Sequence, residues 1–570
     1  MKKIILTVAL ATLSLGIFAQ AQDSLLRRQM ELEREFNPTL RNADKINSLP
    51  TLGKPNVKKA NTNYSNWSGR VTPPIEIALS KPADIMTQIP YSSQRGYLFF
   101  NAGNYTNING AFGYRIIDDE KNNLAFSFHH NSTNGEIKYN QTDYSPDRNT
   151  ATMMDNYGAL NFNHKAEQVM VGLKLSYLHS MFNYYGNPFG NEWYYDNDKK
   201  NYGVINARFI AESIKSNVFN YKGYIDIKNF TTNMSDIAEY DWMKGNEIEA
   251  MVGLDKPYMG GNNTIGLDAK VNTTFYDGDA KDYFLLNASP YFGFSGDGWN
   301  AKLGADLLYQ NSNKSEFRVV PNVDANLNIS DNSSIYVKVH GGFAPNTLTN
   351  VMAESRYILS PNPLKASFSI VDIEGGLNIG SLPGFRFNLF GGYVKTDDEH
   401  FLVLNGNESE APEEVGVFKE SLKPIYGTLT HSHIGGMLET NIWAPLNVSM
   451  KVKKNFYDVK DIMFNDVNIS DPKAYNMPGL ELSTNATLEI IDNLKLMLNY
   501  YLASERWSYM DGVNIKMDNI NDLSLGGAYT INDSFSVNVR ANNLLSQRYD
   551  IFYGYPAQGI NVMGGFTFKF

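Results

Sequence analysis

The chain ends in INVMGGFTFKF, and from Ile560 to Phe570 that ending alternates. Ile560, Val562, Gly564, Phe566, Phe568 and Phe570 share one face; Asn561, Met563, Gly565, Thr567 and Lys569 share the other. A period of two means a strand with one apolar and one polar side. Such a strand, stopping on an aromatic residue, is expected to pair with the first strand and close a membrane barrel. An open sheet edge would leave unpaired backbone groups in hydrocarbon. Phe566, Phe568 and Phe570 are the barrel-closing residues of this reading, with Phe570 where the seam begins.

The start of the chain agrees. Residues 1–21 read as a secretory signal: Lys2 and Lys3, then an apolar run from Ile4 to Phe18, then a small-residue cleavage site at Ala19–Ala21. The run is too short for a transmembrane helix. There is no cysteine, so no disulfide and no lipidated cysteine.

Composition supports the same class. Aromatic residues make up 13% of the 570 positions and there are 45 glycines, yet mean hydropathy is only -0.35. Strands that give half their residues to a polar lumen produce this mixture. A net charge of -10 argues against a nucleic-acid partner.

From about Tyr91 onward, apolar-patterned segments of roughly 9–14 residues are divided by turns that alternate between short and long. Short ones include Asp118–Asn123, Lys165–Glu167, Ser295–Gly298 and Ile491–Asn493; long ones include Gly135–Asp155, Met181–Lys200 and Thr396–Lys423. Short periplasmic turns and longer outer loops are the rule in outer-membrane barrels, and an even strand number puts both barrel ends on the periplasmic side. The reading is all-β: a transmembrane antiparallel barrel of about 22 strands over residues 91–570 in a bacterial outer membrane. Barrels of that width are usually plugged transporters. Residues 22–90 form a proline-rich periplasmic arm, with Pro38, Pro50, Pro55, Pro73, Pro74, Pro82 and Pro90. The arm is too short for a separate plug domain.

The closing stretch from Asn542 to Phe570 resembles the last hairpin of TonB-dependent receptors. The resemblance rests on Asn543-Leu544, Tyr549, Tyr555-Pro556, Gly559 and the terminal Phe570. Glu33–Pro50 and Gln94–Arg115 look like a Bacteroidetes group of receptor-like barrels that lack the plug. The resemblance implies transport or receptor activity with an unnamed substrate. Coupling to TonB stays open because the plug is missing. The alternative is a structural or assembly barrel whose arm docks a periplasmic or outer-membrane partner protein.

Candidate sites follow from the patterns. With the apolar face of each strand given to lipid, the charges left inside read as mostly basic: Lys174, Lys222, Lys302, Lys338, Arg386, Lys451, Lys453, Lys495, Arg540 and Lys569, partly offset by Asp226, Asp268 and Asp306. A basic lumen would attract anionic solutes; the alternative is a water-filled wall of mutually paired charges. In the arm, Arg34, Phe36, Leu40, Asp44 and Lys45 are the docking candidates, since exposed Phe36 and Leu40 serve no purpose in a free tail. His431 and His433 lie two apart and share a strand face, which needs a third ligand before it holds a metal; the reading is a polar pair near the rim. His129 and His130 point to opposite faces. No nucleophile–base spacing stands out, so no enzyme, metal or cofactor is expected.

Overall fold

The computed structural model describes residues 94–570, apart from 141–146, 188–198, 215–217, 234–243, 259–261, 278–281, 313–314, 359–363, 381–383, 406–420 and 444. The signal segment, the arm and the docking candidates Arg34, Phe36, Leu40, Asp44 and Lys45 lie outside the described residues.

The strands in chain order are β1 (Gly96–Gly103), β2 (Ile108–Asp118), β3 (Asn122–Lys138), β4 (Arg148–Lys165), β5 (Val169–Phe182), β6 (Lys200–Ser213) and β7 (Asn220–Asn233). Next come β8 (Gly245–Tyr258), β9 (Asn263–Tyr276), β10 (Phe284–Gly296), β11 (Trp299–Asn311), β12 (Ser315–Ser330) and β13 (Ser333–Ala344). A short helix, α1 (Leu348–Glu354), follows, then β14 (Ser367–Ile379), β15 (Phe385–Leu404), β16 (Leu422–Thr440) and β17 (Leu446–Lys460). The last third holds β20 (Leu480–Ile491), β21 (Leu494–Ser504), β24 (Ile520–Asn532), β25 (Phe535–Asn542) and β28 (Asn561–Lys569). Three small hairpins sit in its loops: β18–β19 (Met463–Phe464, Val467–Asn468), β22–β23 (Trp507–Met510, Val513–Lys516) and β26–β27 (Asp550–Phe552, Tyr555–Pro556).

The long strands form one closed antiparallel sheet of 22, the number read from the turn rhythm. Closure comes from β28 pairing with β1, from Tyr97 opposite Lys569 to Gly103 opposite Met563. Phe570 and Gly96 exchange backbone hydrogen bonds at 2.8 and 2.9 Å just past that register. On the outward face, Phe566 sits between Phe100 and Phe535, with ring centroids 6.1 and 5.7 Å away. Phe570 stacks on Tyr114 and lies across Gly96, where a Cβ would come 2.5 Å from its ring. Glycine at 96 is what lets the terminal aromatic lie flat over the seam.

Alternation sets the two faces. Leu173, Leu175 and Tyr177 on β5, Ile205 and Phe209 on β6, and Val319 and Leu327 on β12 are all exposed outward. An apolar outer belt on a closed barrel is a lipid-facing surface, which places the chain in an outer membrane. The end where β1 begins and β28 finishes is the periplasmic one.

Strand lengths exceed the expected range on part of the ring. β15 and β16 run to 20 and 19 residues, and β4 to 18, whereas β1 and β25 have only 8. A tilted strand crosses a bilayer in about 9–11 residues, so the surplus stands above the membrane. Sequence patterning cannot show where lipid stops. Two outer connections are also short, Asn104–Asn107 and residues 312–314, against the general parity.

Candidate functional site: the lumen and its outer cap

Along β5 the inward residues run Lys174, Ser176, Leu178, Ser180 and Phe182; along β7 they run Lys222, Tyr224, Asp226, Lys228 and Phe230. Each face is charged low in the barrel and aromatic at its outer end.

The lower wall is a lattice of cross-strand charge pairs. Lys222 meets Asp268 at 3.2 Å, Arg208 meets Asp226 at 3.5 Å and Lys270 meets Glu249 at 3.0 Å. Lys338 and Glu374 are 3.8 Å apart, Lys495 and Glu489 3.2 Å, and Arg386 and Glu439 4.0 Å. Lys453 lies opposite Glu481 in register. Asp306 accepts hydrogen bonds from Asn322 and Asn287 at 2.7 and 3.4 Å. Lys174, Lys302 and Lys451 lie over the rings of Tyr157, Tyr291 and Phe390 at 5.9, 4.5 and 5.5 Å. Arg540 shares its face with Met563 and Gly526, and Lys569 lies opposite Tyr97.

The pairings bear on the second way of reading these charges, a water-filled wall of mutually paired side chains. The named basic residues share the inward face, but so do Glu249, Glu374, Glu439, Glu481 and Glu489. These acids sit one strand over at matching height. Which residues are cross-strand neighbours depends on register, and a count along single strands misses them.

His431 and His433 also face the lumen rather than forming a rim pair. Their rings are 5.3 Å apart; His431 stacks on Tyr457 at 4.7 Å and its Nε2 lies 3.0 Å from Asn455 Oδ1. No group of three His, Asp or Glu side chains able to hold a metal occurs among the described residues. His129 faces inward near Tyr157, whereas His130 faces outward against Asn156 and Ser132.

The outer end is a packed core. Phe182, Tyr202, Phe230 and Tyr276 cluster there with Ile137 and Ala151 from the wall, and with Leu402, Leu404 and Leu422 from the tall β15–β16 hairpin. Three loops supply the rest. The loop after β5 brings Tyr184 and Tyr185, the loop after β13 brings Leu348, Val351, Met352, Tyr357 and Ile358, and the loop after β25 brings Tyr555. These loops follow the fifth, thirteenth and twenty-first strands of the ring, so they descend from points about a third of the circumference apart. They meet at Tyr357. Its ring stacks on Tyr555 at 4.2 Å and meets Tyr185 and Phe182 edge-on at 5.9 and 5.7 Å. Aromatic pairs at such separations add about 0.5–1.5 kcal/mol each beyond burial. Burial pushes the Tyr185 and Tyr357 phenols up from their ordinary range.

Each loop is tied down by polar contacts. Tyr185 Oη donates to Pro556 O at 2.9 Å, and Tyr139 Oη donates to Tyr185 O at 2.7 Å. Gly186 lies flat on Tyr555; a Cβ there would sit 2.5 Å from the ring. In the loop after β13, Thr349 N donates to Glu247 at 2.9 Å and Leu348 N donates to Tyr276 Oη at 3.0 Å. Arg356 reaches Asp155 on β4 with two parallel hydrogen bonds of 2.9 and 3.0 Å, and Ser180 on β5 at 3.1 Å. Burial alone would lower the Arg356 pKa, but Asp155 outweighs it and holds the guanidinium charged. Leu422 N donates to Tyr357 O at 2.7 Å from the opposite side.

The closing-hairpin residues quoted above prove to be the scaffold of the third loop. Asn543 adopts a positive φ of 49° and donates from its amide to Gln547 O and Gln558 O at 3.0 and 2.9 Å. Tyr549 donates to Asp522 at 3.0 Å. Arg506 donates to Asp550 O at 2.8 Å and also to Ile551 O. Tyr555 is thereby delivered to the centre of the cap.

A second buried cluster stands on the same side as the tall hairpin. Phe401, Val403 and Ile425 pack there with Ile462, Ile469, Tyr475 and Tyr509 from the next two loops.

No family description and no curated protein matches the sequence. Solved structures do match the fold. The FrpB iron transporter from Neisseria meningitidis aligns with a TM-score of 0.62 at 10% identity, over 84% of this chain and 82% of that one. The copper transporter OprC aligns with a TM-score of 0.59 at 12% identity, over 84% and 82%. The pyoverdine outer membrane receptor FpvA from Pseudomonas aeruginosa PAO1 gives 0.58 at 12% identity, over 84% and 79%. At these identities the likeness is one of fold, the barrel fold that the resemblance implied.

Proposed function

We propose that the chain is an outer-membrane transport or receptor barrel of the TonB-dependent type. One observation carries the reading: a closed ring of 22 strands with a polar, charged inner wall has its outer mouth filled by its own packed loops. The names of the structural neighbours, an iron transporter, a copper transporter and a pyoverdine receptor, support the same class.

Two finer points belong to this proposal. The chain is of the plugless Bacteroidetes kind, on the strength of Glu33–Pro50 and Gln94–Arg115. Its arm, through Arg34, Phe36, Leu40, Asp44 and Lys45, docks a periplasmic or outer-membrane partner protein. The paired charges of the lower wall suit passage of polar solutes without a preference for anions.

Depletion of solutes from growth medium tests the reading. Cells carrying and lacking the gene are compared by untargeted mass spectrometry of the medium, with and without a protonophore. A transporter leaves a defined set of solutes depleted only where the gene is present. Identical media, together with a partner co-purified on the arm, would establish the scaffold alternative.

A further inference from the structure

We propose that Asn346–Ile358 is a latched strap that forms the main barrier to solute passage through this barrel, with Arg356, Asp155 and Ser180 as its latch. The inference rests on the transport reading for its purpose but not for its test.

The strap crosses the barrel rather than lying along its rim. It leaves the wall at β13 and returns at β14, yet Arg356 binds Asp155 and Ser180 on β4 and β5. In a ring of 22 strands those positions are close to diametrically opposed. Near its start, Leu348 and Thr349 are held by Tyr276 on β9 and Glu247 on β8. At the strap's end, Ile358 forms a parallel bridge with Leu422 at the start of β16.

What the strap does there follows from barrel size. Wall side chains of a 22-strand barrel cannot fill its lumen, so an unobstructed one would be a wide aqueous pore. Along the described wall, the charge pairs below the cap remain partly exposed, while Leu348, Val351 and Met352 of the strap are buried in the outer cluster and Tyr357 packs against it. The strap is therefore the element that turns a hydrated lumen into a dry layer.

The latch has the chemistry of a releasable fastener. Arg356 and Asp155 form a bidentate pair, the strongest arrangement for a guanidinium and a carboxylate. Ser180 donates to Asp155 at 2.6 Å and accepts from Arg356, adding a third hydrogen bond to the carboxylate. The pair is half-buried, each side chain 20% exposed; removing one member leaves a partly desolvated charge without its partner, which is worse than removing both. Asp155 is already 20% exposed, and its carboxylate gains the rest of its hydration when the strap moves away. The latch thus fails by opening, not by relaxing in place.

The test uses the full chain purified from outer membranes and inserted in planar lipid bilayers, with heat-modifiable migration confirming an intact barrel in each variant. The wild type is expected to be nearly silent. Replacing residues 347–357 with a Gly-Ser linker of equal length should raise conductance by roughly tenfold or more. Arg356→Ala should give frequent openings. The double variant Asp155→Asn with Arg356→Gln should return toward silence, because no charge is stranded. A wild type that conducts like the linker variant overturns the proposal. So does a linker variant that stays silent with its barrel intact, since the barrier is then elsewhere. An Arg356→Ala variant as quiet as wild type overturns the latch. Conductance can support the strap even where solute depletion fails, so the two readings fall separately.

Discussion

The lower wall and the outer cap are built on the same strands and the same alternation, yet they behave as different materials. On β9 the inward residues are Gly266, Asp268, Lys270, Asn272, Thr274 and Tyr276. The first four belong to a hydrated wall in which charges meet across strands; the last belongs to a packed core. Below, the partners are neighbours in the sheet and each contact is local. Above, the partners come from loops a third of the ring apart, and each contact is long-range. Water-exposed ion pairs stabilise by at most about 1 kcal/mol, whereas truncating a buried aromatic costs about 3–5 kcal/mol. The difference teaches that the wall tolerates change residue by residue, while the cap stands or falls as a unit.

The harshest way to break the comparison is to remove what both regions need. Deleting Gly565–Phe570 takes away the partner of β1 and strands its backbone groups in lipid. Little or no heat-modifiable barrel should reach the outer membrane, and normal insertion of the truncated chain would refute the seam. Next comes the cap alone. Tyr357→Ala or Phe182→Ala should cost about 3–5 kcal/mol locally, while the barrel still migrates as a heat-modifiable species. Amide exchange across Leu348–Glu354 should then speed up on the order of a hundredfold, with β10 and β11 unchanged. If the barrel melts along with the cap, the two are not separable. Gly186→Val is a smaller perturbation. It pushes a side chain into the Tyr555 ring, and overpacking of this kind costs about 1–3 kcal/mol. Faster exchange should appear at Tyr357 and Tyr555 and not on the wall. Smallest of all is Lys222→Ala. Its partner Asp268 keeps access to water, so the effect on unfolding in detergent should stay below about 1 kcal/mol. A larger loss would mean that the wall lattice acts cooperatively.

Much of the fold was legible because barrels obey local rules. The final strand, the short turns at Asp492-Asn493 and Asp533-Ser534, and the apolar face of Leu494, Leu496 and Leu498 all declare themselves within a dozen residues. Strand number followed from counting such segments. The inward direction of Lys174 or Lys451 followed from parity, but their electrostatic setting did not. Glu249 is 21 residues from Lys270 in sequence and 3.0 Å away in space, and parity on one strand carries no news of the next. The cap was less legible still. A signal was present in retrospect: the inward faces of β5, β7 and β9 each switch from polar residues to an aromatic at the outer end. That switch marks where a wall becomes a packing surface.

The sequence by itself determined that this chain is a closed antiparallel barrel of about 22 strands, because a membrane requires every backbone group to be paired and alternation is enforced by lipid on one side; the exact number came from the sheet itself. It also determined the closing seam, since Phe566, Phe568 and Phe570 sit at the parity that faces hydrocarbon. Only the tertiary structure decided that Arg356 would cross the lumen to Asp155, that Tyr357 would gather Tyr185 and Tyr555 around it, and that the quoted Asn543, Tyr549 and Tyr555 would serve to fold a loop inward. Those contacts join residues as far apart as 371 positions, as between Tyr185 and Pro556. Loop entropy grows only slowly with such separation, so the chain leaves no local trace of which distant loops will meet. The choice is made by the ring, which fixes where each loop begins and leaves its apolar residues only one another to pack against.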